Sequence, residues 1–415
     1  MNKKKGEEKK TEGKKVSLPK IKVTRKNAIV NEVHDKIRIL KEKRAYAPKE
    51  QATELKAWLE QQPEIESVSL YGDSDLTLKF KDKTQVGILL DRKNMYGGYG
   101  PEGEIAVATK VRTYNPLGAE GDPHPISKKA CVIDTLYDDW PPEATPDTIV
   151  NLLKNAGYEV DFIKNNSANM NFFTTLDDRE YGIVFIRSHG GMMNVGGDNK
   201  VQIMVRPFFT SFPPASGYTG VEVLAVNTDV VSQDWAYVYS FNNLFVNSYM
   251  NNKYFPNTLF HLLVCHGADP DAQNDMIQSL LNRGVGCYSG WTKNASPTHG
   301  DPAAIQFFQA LCQTSTNPTN TVTDAISQIT SSGHSPDPGT TAVLVSQGSG
   351  AMQIIHCFIV KEASHISIQD STGKVIRKGF HDVMDAAEYA QNQILGGKHN
   401  RLKINQTIEL DKVQW

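Results

Sequence analysis

The chain has 415 residues and a hydrophobic fraction of 39%, enough for a large buried core and for two or three domains. Its net charge of −2 excludes a general attraction for nucleic acid or anionic membranes, and no run of about 18 apolar residues indicates a membrane span. The five cysteines lack a CxxC pair, which argues against a disulfide framework and a structural zinc site. Free thiols and the absence of a signal peptide predict a cytoplasmic location.

The N-terminal part of the sequence carries no residue pattern typical of catalysis. Residues 1–20 are rich in lysine and glutamate and predict a disordered charged tail. Helical spacing followed by short alternating runs predicts a small α+β domain over 46–92. The glycines and prolines of 93–127 predict a linker.

Apolar strands alternate with helices from residue 128 onward. Predicted strands are 130–133, 158–163, 181–188, 259–265 and 284–289, and predicted helices are 145–155, 271–282, 303–312 and 323–331. Near-continuous apolar strands separated by helices indicate a mostly parallel sheet that is covered on both faces. The sequence therefore predicts an α/β domain over 128–340.

Two further segments depart from this alternation. Residues 191–256 form a long insertion with strand-like runs at 201–205 and 221–226, which predicts a functional loop or lid. Residues 350–415 predict a small ββαβ domain whose role the sequence does not indicate. Its predicted elements are strands at 365–370, 374–379 and 402–405 and a helix at 383–393.

Two of the predicted strands end in reactive residues. One strand ends in Ser-His-Gly-Gly with His189, and the other ends in Val-Cys-His-Gly with Cys265. Ligands of open parallel sheets collect at the carboxyl ends of the strands. If the two strands are neighbours, the imidazole of His189 and the thiol of Cys265 come within reach of one substrate.

This pair of residues has a definite chemistry. An imidazole promotes thiolate attack and then protonates the departing amine. Gly190 and Gly191 let the backbone approach a substrate, and exposed amides there stabilise an oxyanion. The helix predicted over 271–282 follows Cys265, and its N-terminal dipole favours the thiolate. His266 is an alternative partner, but it adjoins Cys265 and is expected to point to the other side of the strand end.

The two apolar blocks together resemble the caspase-like clan CD of cysteine peptidases. The resemblance covers about 128–335 and includes YGIVFIRSHGG, LFHLLVCHGAD and GVGCYSGWT. The context of Cys265 is most similar to the gingipain/clostripain, separase and CHAT-domain groups. The resemblance implies a caspase-like αβα sandwich and an endopeptidase that works through a thioester. It also implies that His189 is the acid/base, that Cys265 is the nucleophile, and that backbone at Gly190 and Cys265 holds the oxyanion, with no metal or cofactor.

The substrate pocket is predicted less directly. Several relatives carry an acidic or amide residue two places before the nucleophile, where this chain has Leu263. The loop after the first strand brings Asp134, Asp138 and Asp139 to the same sheet edge, where they would pair with a basic P1 side chain; a solvated acidic loop is the alternative. Trp291 is expected either as an apolar wall of the cleft or as a buried core residue.

Two other functions remain open from the sequence. The first is a catalytically silent caspase-like scaffold that binds a partner. The second is a nucleotide-binding protein, which the absence of GxGxxG and GxxxxGK[ST] after the first strand disfavours. For the peptidase, the partner is a protein or peptide substrate, and activation by another protein or by self-processing stays open.

Overall fold

The structure is a computed structural model. It describes residues 19–43, 48–72, 75–89, 124–138, 145–227, 235–251, 254–272, 276–313 and 320–354, and the backbone of 357–362, 365–370, 375–380 and 412–414. The predicted tail (1–20) falls almost wholly, and the predicted linker (93–127) mostly, outside the described residues, as do the predicted helix 383–393 and strand 402–405. Within the described part, no helix is both long and apolar enough to cross a membrane.

The described residues form the following helices and strands, given in chain order. The first elements are α1 (Val23–Lys43), α2 (Pro48–Leu59), β1 (Ile65–Tyr71), β2 (Asp75–Phe80) and β3 (Gln85–Leu89). Next come β4 (Lys129–Asp134), α3 (Thr145–Asn155), β5 (Glu159–Lys164), α4 (Met170–Phe173), β6 (Ile183–Arg187), β7 (Gly190–Val195), β8 (Asp198–Phe209), β9 (Val221–Asn227), β10 (Trp235–Phe241) and α5 (Asn243–Tyr249). The last are β11 (Thr258–Leu263), α6 (Met276–Leu281), β12 (Val285–Trp291), α7 (Pro297–Leu311), α8 (Val322–Ser331), β13 (Leu344–Gly348), β14 (Cys357–Glu362), β15 (His365–Asp370), β16 (Val375–Phe380) and β17 (Lys412–Gln414).

A six-stranded sheet forms the centre of the predicted α/β domain. Its order is β13-β12-β11-β6-β4-β5, in which all neighbours pair in parallel except the edge strand β13. One face packs on residues of α3, α7 and α8, such as Leu153, Phe308 and Ile329. The other face packs on α4, α5 and α6, for example through Phe245 and Leu280. The predicted mixed α/β class and mostly parallel sheet are confirmed.

A seven-stranded sheet unites two segments that the sequence analysis treats separately. Its order is β1-β2-β3-β9-β10-β8-β7, so the N-terminal strands continue into the strands of the insertion. The junction is a short parallel pairing in which Gly87 lies opposite Leu224. Helices α1 and α2 cover one face, where Ile29, Val33 and Leu55 are buried. The insertion is therefore part of a sheet, and its predicted strands at 201–205 and 221–226 are confirmed.

A four-stranded antiparallel sheet lies near the C-terminus. Its order is β16-β15-β14-β17, and it includes the predicted strands at 365–370 and 374–379. The predicted domain boundaries themselves stay predictions.

Candidate active site

The ends of β6 and β11 bring the two candidate catalytic residues to one edge of the six-stranded sheet. These strands are parallel neighbours, and their last paired residues are Arg187 and Leu263. A hydrogen bond from the Ser188 amide to the Leu263 carbonyl, 3.3 Å, extends the pairing by one more residue. His189 and Cys265 each lie two residues beyond this last pair, so both lie at the same edge of the sheet and at equivalent positions on the two strands.

The backbone after His189 contacts the backbone of Cys265. A methyl group added to Gly190 would lie 2.6 Å from the carbonyl oxygen of Cys265, closer than real Cβ contacts allow. At the same point the chain leaves one sheet and enters the other, since β6 ends at Arg187 and β7 begins at Gly190. The Met204 amide of β8 donates to the His189 carbonyl at 3.1 Å. His189 therefore lies where the chain passes from the six-stranded to the seven-stranded sheet, and the residue after it approaches the backbone of Cys265.

A buried ion cluster supports the chain just before His189. The Arg187 guanidinium donates two hydrogen bonds to the carboxylate of Asp301, at 2.8 and 2.9 Å, and one to Asp134 at 3.3 Å. All three side chains are almost fully buried. The hydroxyl of Ser188 donates to the Met204 carbonyl at 2.9 Å and accepts from Thr135 at 2.8 Å. These bonds fix the strand end that carries His189.

The electrostatic surroundings favour a neutral imidazole at His189. Burial, with smaller contributions from the Arg187 and Arg206 cations, lowers the pKa of His189 to about 4. The side chain is half-buried. At neutral pH the ring therefore lacks the second proton, which is the form that accepts one from a thiol.

The thiol of Cys265 lies beside the start of a helix. Its Sγ is 3.9 Å from the carbonyl oxygen of Ala295, and α7 begins two residues later at Pro297. The first turn of α7 packs on β11, because a methyl group at Gly300 would lie 2.8 Å from Leu263 Cδ1. The helix predicted over 271–282 after Cys265 is α6, whose described residues are Met276–Leu281. Helix α7 also begins close to the sulfur, and its N-terminal end favours an anionic sulfur nearby.

The turn after Cys265 is tightly held. His266 has a left-handed backbone with φ of +59°, which is uncommon for a residue with a side chain. Its Nδ1 lies 2.7 Å from a carboxylate oxygen of Asp269, and its Nε2 lies 3.7 Å from a carboxylate oxygen of Asp75. Because both ring nitrogens face carboxylates, the alternative in which His266 serves as the partner of Cys265 is disfavoured.

The structure changes the predicted substrate pocket. Asp134 is fully buried, burial raises its pKa to about 6, and its carboxylate pairs with Arg187, so its predicted contact with substrate is corrected. Trp291 is also fully buried, in the core against α7 and α8, so it is not a cleft wall. Asp138 is exposed and accepts a hydrogen bond from Asn165 at 2.6 Å. Asp139 lies outside the described residues.

Two features of the site do not appear among the sequence predictions. One is the cluster of Arg187 with Asp301, although an arginine inside the apolar run YGIVFIRS signals a buried charge that needs a carboxylate. The other is the approach of Asp75 and Tyr71 from the N-terminal strands, for which the sequence contains no local signal.

Within the described residues, no group of three or more His, Cys, Asp or Glu side chains is arranged to hold a metal ion.

Comparisons with known proteins give only distant likenesses. No family model matches the chain, and no curated protein matches it. Gingipain R, an Arg-specific cysteine proteinase, shares 11% identity over 62% of this chain and 59% of its own, with a TM-score of 0.38. The complex of the pro- and mature domains of RgpB from Porphyromonas gingivalis shares 11% over 61% and 59%, with a TM-score of 0.35. The Drosophila initiator caspase Dronc shares 9% over 60% and 93%, with a TM-score of 0.30.

The chain thus spans about three-fifths of the gingipain chains to which it is similar, with 59% of each covered. Likeness of this degree assigns neither a family nor an activity.

Proposed function

We propose that the chain is a cysteine endopeptidase in which Cys265 is the nucleophile and His189 the acid/base. The observation that carries the proposal is the in-register pairing of β6 and β11, which delivers both residues to one sheet edge. The close approach of Gly190 to the Cys265 carbonyl supports it, since the two segments touch at that edge.

The proposed reaction is acyl transfer. The neutral imidazole of His189 accepts the thiol proton, and the sulfur of Cys265 attacks the scissile carbonyl carbon. Backbone amides at Gly190 and Cys265 hold the oxyanion of the tetrahedral intermediate. The imidazolium then gives its proton to the leaving amine. The lowered pKa of His189 favours this step and opposes the first one, because a weakly basic ring is a poor proton acceptor but a strong acid once protonated. Water, deprotonated by His189, hydrolyses the thioester and frees Cys265.

The substrate in this proposal is a protein or peptide, and the preferred side chain at P1 is to be determined. Because the carboxylate of Asp134 is paired with Arg187, only Asp138 and Asp139 of the predicted acidic loop are left to bind a basic P1 side chain. Asp138→Asn tests that dependence. Loss of cleavage after lysine and arginine would support the acidic pocket, and unchanged cleavage would remove it while leaving the catalytic pair in place.

The main experiment is hydrolysis of a diverse peptide library by the full chain. We expect cleavage by the unmodified protein and a loss of about a thousandfold or more in Cys265→Ala and His189→Ala. Cys312→Ala is the matched control, because Cys312 is also a half-buried free cysteine but lies at the end of α7, away from the site. Retained hydrolysis in Cys265→Ala would contradict the proposal, and an unmodified protein that cleaves no peptide would favour the silent scaffold.

A further inference from the structure

We propose that the hairpin of β1 and β2 is a positioning element for Cys265, and that Asp75 is its positioning residue. The hairpin would act through His266, the residue that follows the nucleophile. This inference rests on the proposed peptidase function, and it assigns a role to a part of the chain for which the sequence indicates none.

One oxygen of Asp75 faces both reactive segments. Asp75 Oδ2 accepts a hydrogen bond from the Met192 amide at 2.8 Å, on the strand that follows His189. The same oxygen lies 3.7 Å from Nε2 of His266, in the turn that follows Cys265. Asp75 is only 3% exposed, so water screens these contacts little. A single carboxylate from β2 therefore ties the two halves of the candidate site together.

Tyr71, at the end of β1, holds the same histidine from another side. Its ring meets the ring of His266 edge to face, with 5.6 Å between centroids. Burial and the neighbouring Asp269, with which Tyr71 shares a hydrogen bond, raise the pKa of the Tyr71 hydroxyl far above its usual value. Asp269 in turn lies 2.7 Å from Nδ1 of His266 and accepts a hydrogen bond from the Asp271 amide at 2.9 Å. The imidazole of His266 is thus held by the hairpin and by its own turn.

The backbone of this turn depends on such support. A residue with a side chain stays in the left-handed region only when its surroundings fix it there, and His266 has a φ of +59°. The preceding residue is Cys265, so relaxation of the turn would reorient the sulfur relative to His189. Misplacement of a reacting group by about 1 Å can cost on the order of a hundredfold in rate. The hairpin would therefore affect turnover more than substrate binding.

The N-terminal strands also approach β7 closely at Gly191. A methyl group there would lie 2.4 Å from Leu89 Cδ2 of β3 and 3.1 Å from Asp75 Oδ2 of the hairpin. Two residues along β2, Thr77 accepts a hydrogen bond from the Asn194 amide at 3.0 Å. Thr77 thus makes the same kind of bond to β7 as Asp75, without contact to His266, and it supplies a matched control.

The experiment compares Asp75→Asn with Thr77→Val in the full chain. Asparagine keeps the shape of the side chain and an oxygen for the Met192 amide, but it removes the charge that faces His266. We expect Asp75→Asn to lower kcat about tenfold to a hundredfold with KM nearly unchanged, and Thr77→Val to leave both close to the unmodified values. Melting temperatures of both variants should fall by similar small amounts. Asp75→Glu, which restores the charge, should recover part of kcat.

A second readout separates this inference from the proposed function. The rate at which iodoacetamide alkylates Cys265, followed by mass spectrometry, needs no peptidase activity. We expect a several-fold change of that rate in Asp75→Asn and none in Thr77→Val. Equal alkylation rates in the two variants would overturn the role of the hairpin even if the protein is an active peptidase. A chain that cleaves no peptide but shows the rate difference would overturn the proposed function and leave the positioning role standing.

Discussion

The six-stranded and the seven-stranded sheet contribute to the candidate site in different ways. The six-stranded sheet is mostly parallel and delivers His189 and Cys265 from adjacent strand ends. The seven-stranded sheet is mostly antiparallel. Its strand β7 begins directly after His189, and its strand β2 reaches the turn after Cys265 through Asp75. The comparison shows that one sheet carries the two candidate catalytic residues, whereas the other, assembled from two distant chain segments, contacts the backbone around them.

The largest expected effect is on the buried ion cluster of the six-stranded sheet. Asp301→Ala removes both hydrogen bonds of the Arg187 fork and leaves a buried cation with only Asp134 nearby. We expect a loss of about 3–5 kcal/mol in the free energy of unfolding, because a charge is left buried without its main partner. Urea unfolding of the unmodified protein and of Asp301→Ala at neutral pH measures this loss.

The control for that variant lies on the seven-stranded sheet. Glu66→Gln breaks the exposed ion pairs with Lys79 and Lys83. Exposed pairs are screened by water, so little measurable change is expected. Equal losses in the two variants would contradict the view that the buried ion cluster of Arg187 stabilises the fold more than an exposed ion pair does.

The junction between the sheets should tolerate no side chain at Gly190. In Gly190→Ala the new methyl group meets the Cys265 carbonyl oxygen at 2.6 Å, so the backbone of one segment must move. We expect a loss of about 1–3 kcal/mol in the free energy of unfolding, with slower alkylation of Cys265.

Gly339→Ala is its control, since the added methyl group makes an ordinary contact of 3.4 Å with Asp337. An alkylation rate in Gly190→Ala equal to that in the control would mean that the two segments move independently.

Two buried groups, one in each sheet, should respond to pH with opposite signs, and the larger response comes from His261 in β11. Burial lowers the pKa of this fully buried ring to about 3. Between that value and its usual pKa of about 6.5, the unfolded chain binds a proton that the folded chain does not, so stability falls as pH is lowered. At pH 5 the expected loss is about 1–2 kcal/mol. The free energy of unfolding, measured at pH 7.5 and 5, should fall less in His261→Gln than in the unmodified protein. An identical fall in both would contradict a lowered pKa at His261.

The smallest expected effect is at Glu222 in β9 of the seven-stranded sheet. Burial raises the pKa of this half-buried carboxyl to about 7. Here the folded chain holds a proton that the unfolded chain releases between about 4.5 and 7, so stability falls as pH rises through that window. Glu222→Gln should flatten this decline in a pH series of melting temperatures. A variant with the same slope as the unmodified protein would show that Glu222 is ionised in the folded state.

The six-stranded sheet could be predicted from the sequence because its strands are long apolar runs separated by helices. That pattern has few explanations other than a buried parallel sheet, and it places strand ends at a common edge. The positions of His189 and Cys265 at such strand ends, each followed by a glycine within two residues, could therefore be predicted. The left-handed backbone at His266 could not be predicted, because histidine adopts this conformation only occasionally and the sequence does not show where.

The seven-stranded sheet could not be predicted as one unit. Its central junction pairs β3 with β9, and alternation of apolar residues shows that a strand is half-buried but not which strand lies beside it. The prediction that Asp134 contacts the substrate was wrong for a related reason. A carboxylate after a strand can face water or a buried cation, and only the fold shows that Arg187 reaches Asp134. Trp291 is a similar case, since apolar surface fits a core as well as a cleft.

The most direct test of the central claim is covalent capture of Cys265 by a peptide. The full chain is incubated with a peptidyl acyloxymethyl ketone, and the modified residue and its rate are read by mass spectrometry in the unmodified protein, His189→Ala and His266→Ala. We predict modification at Cys265 that is lost in His189→Ala and only slowed in His266→Ala. Modification at another cysteine, or at Cys265 with a rate that does not depend on His189, would contradict the account.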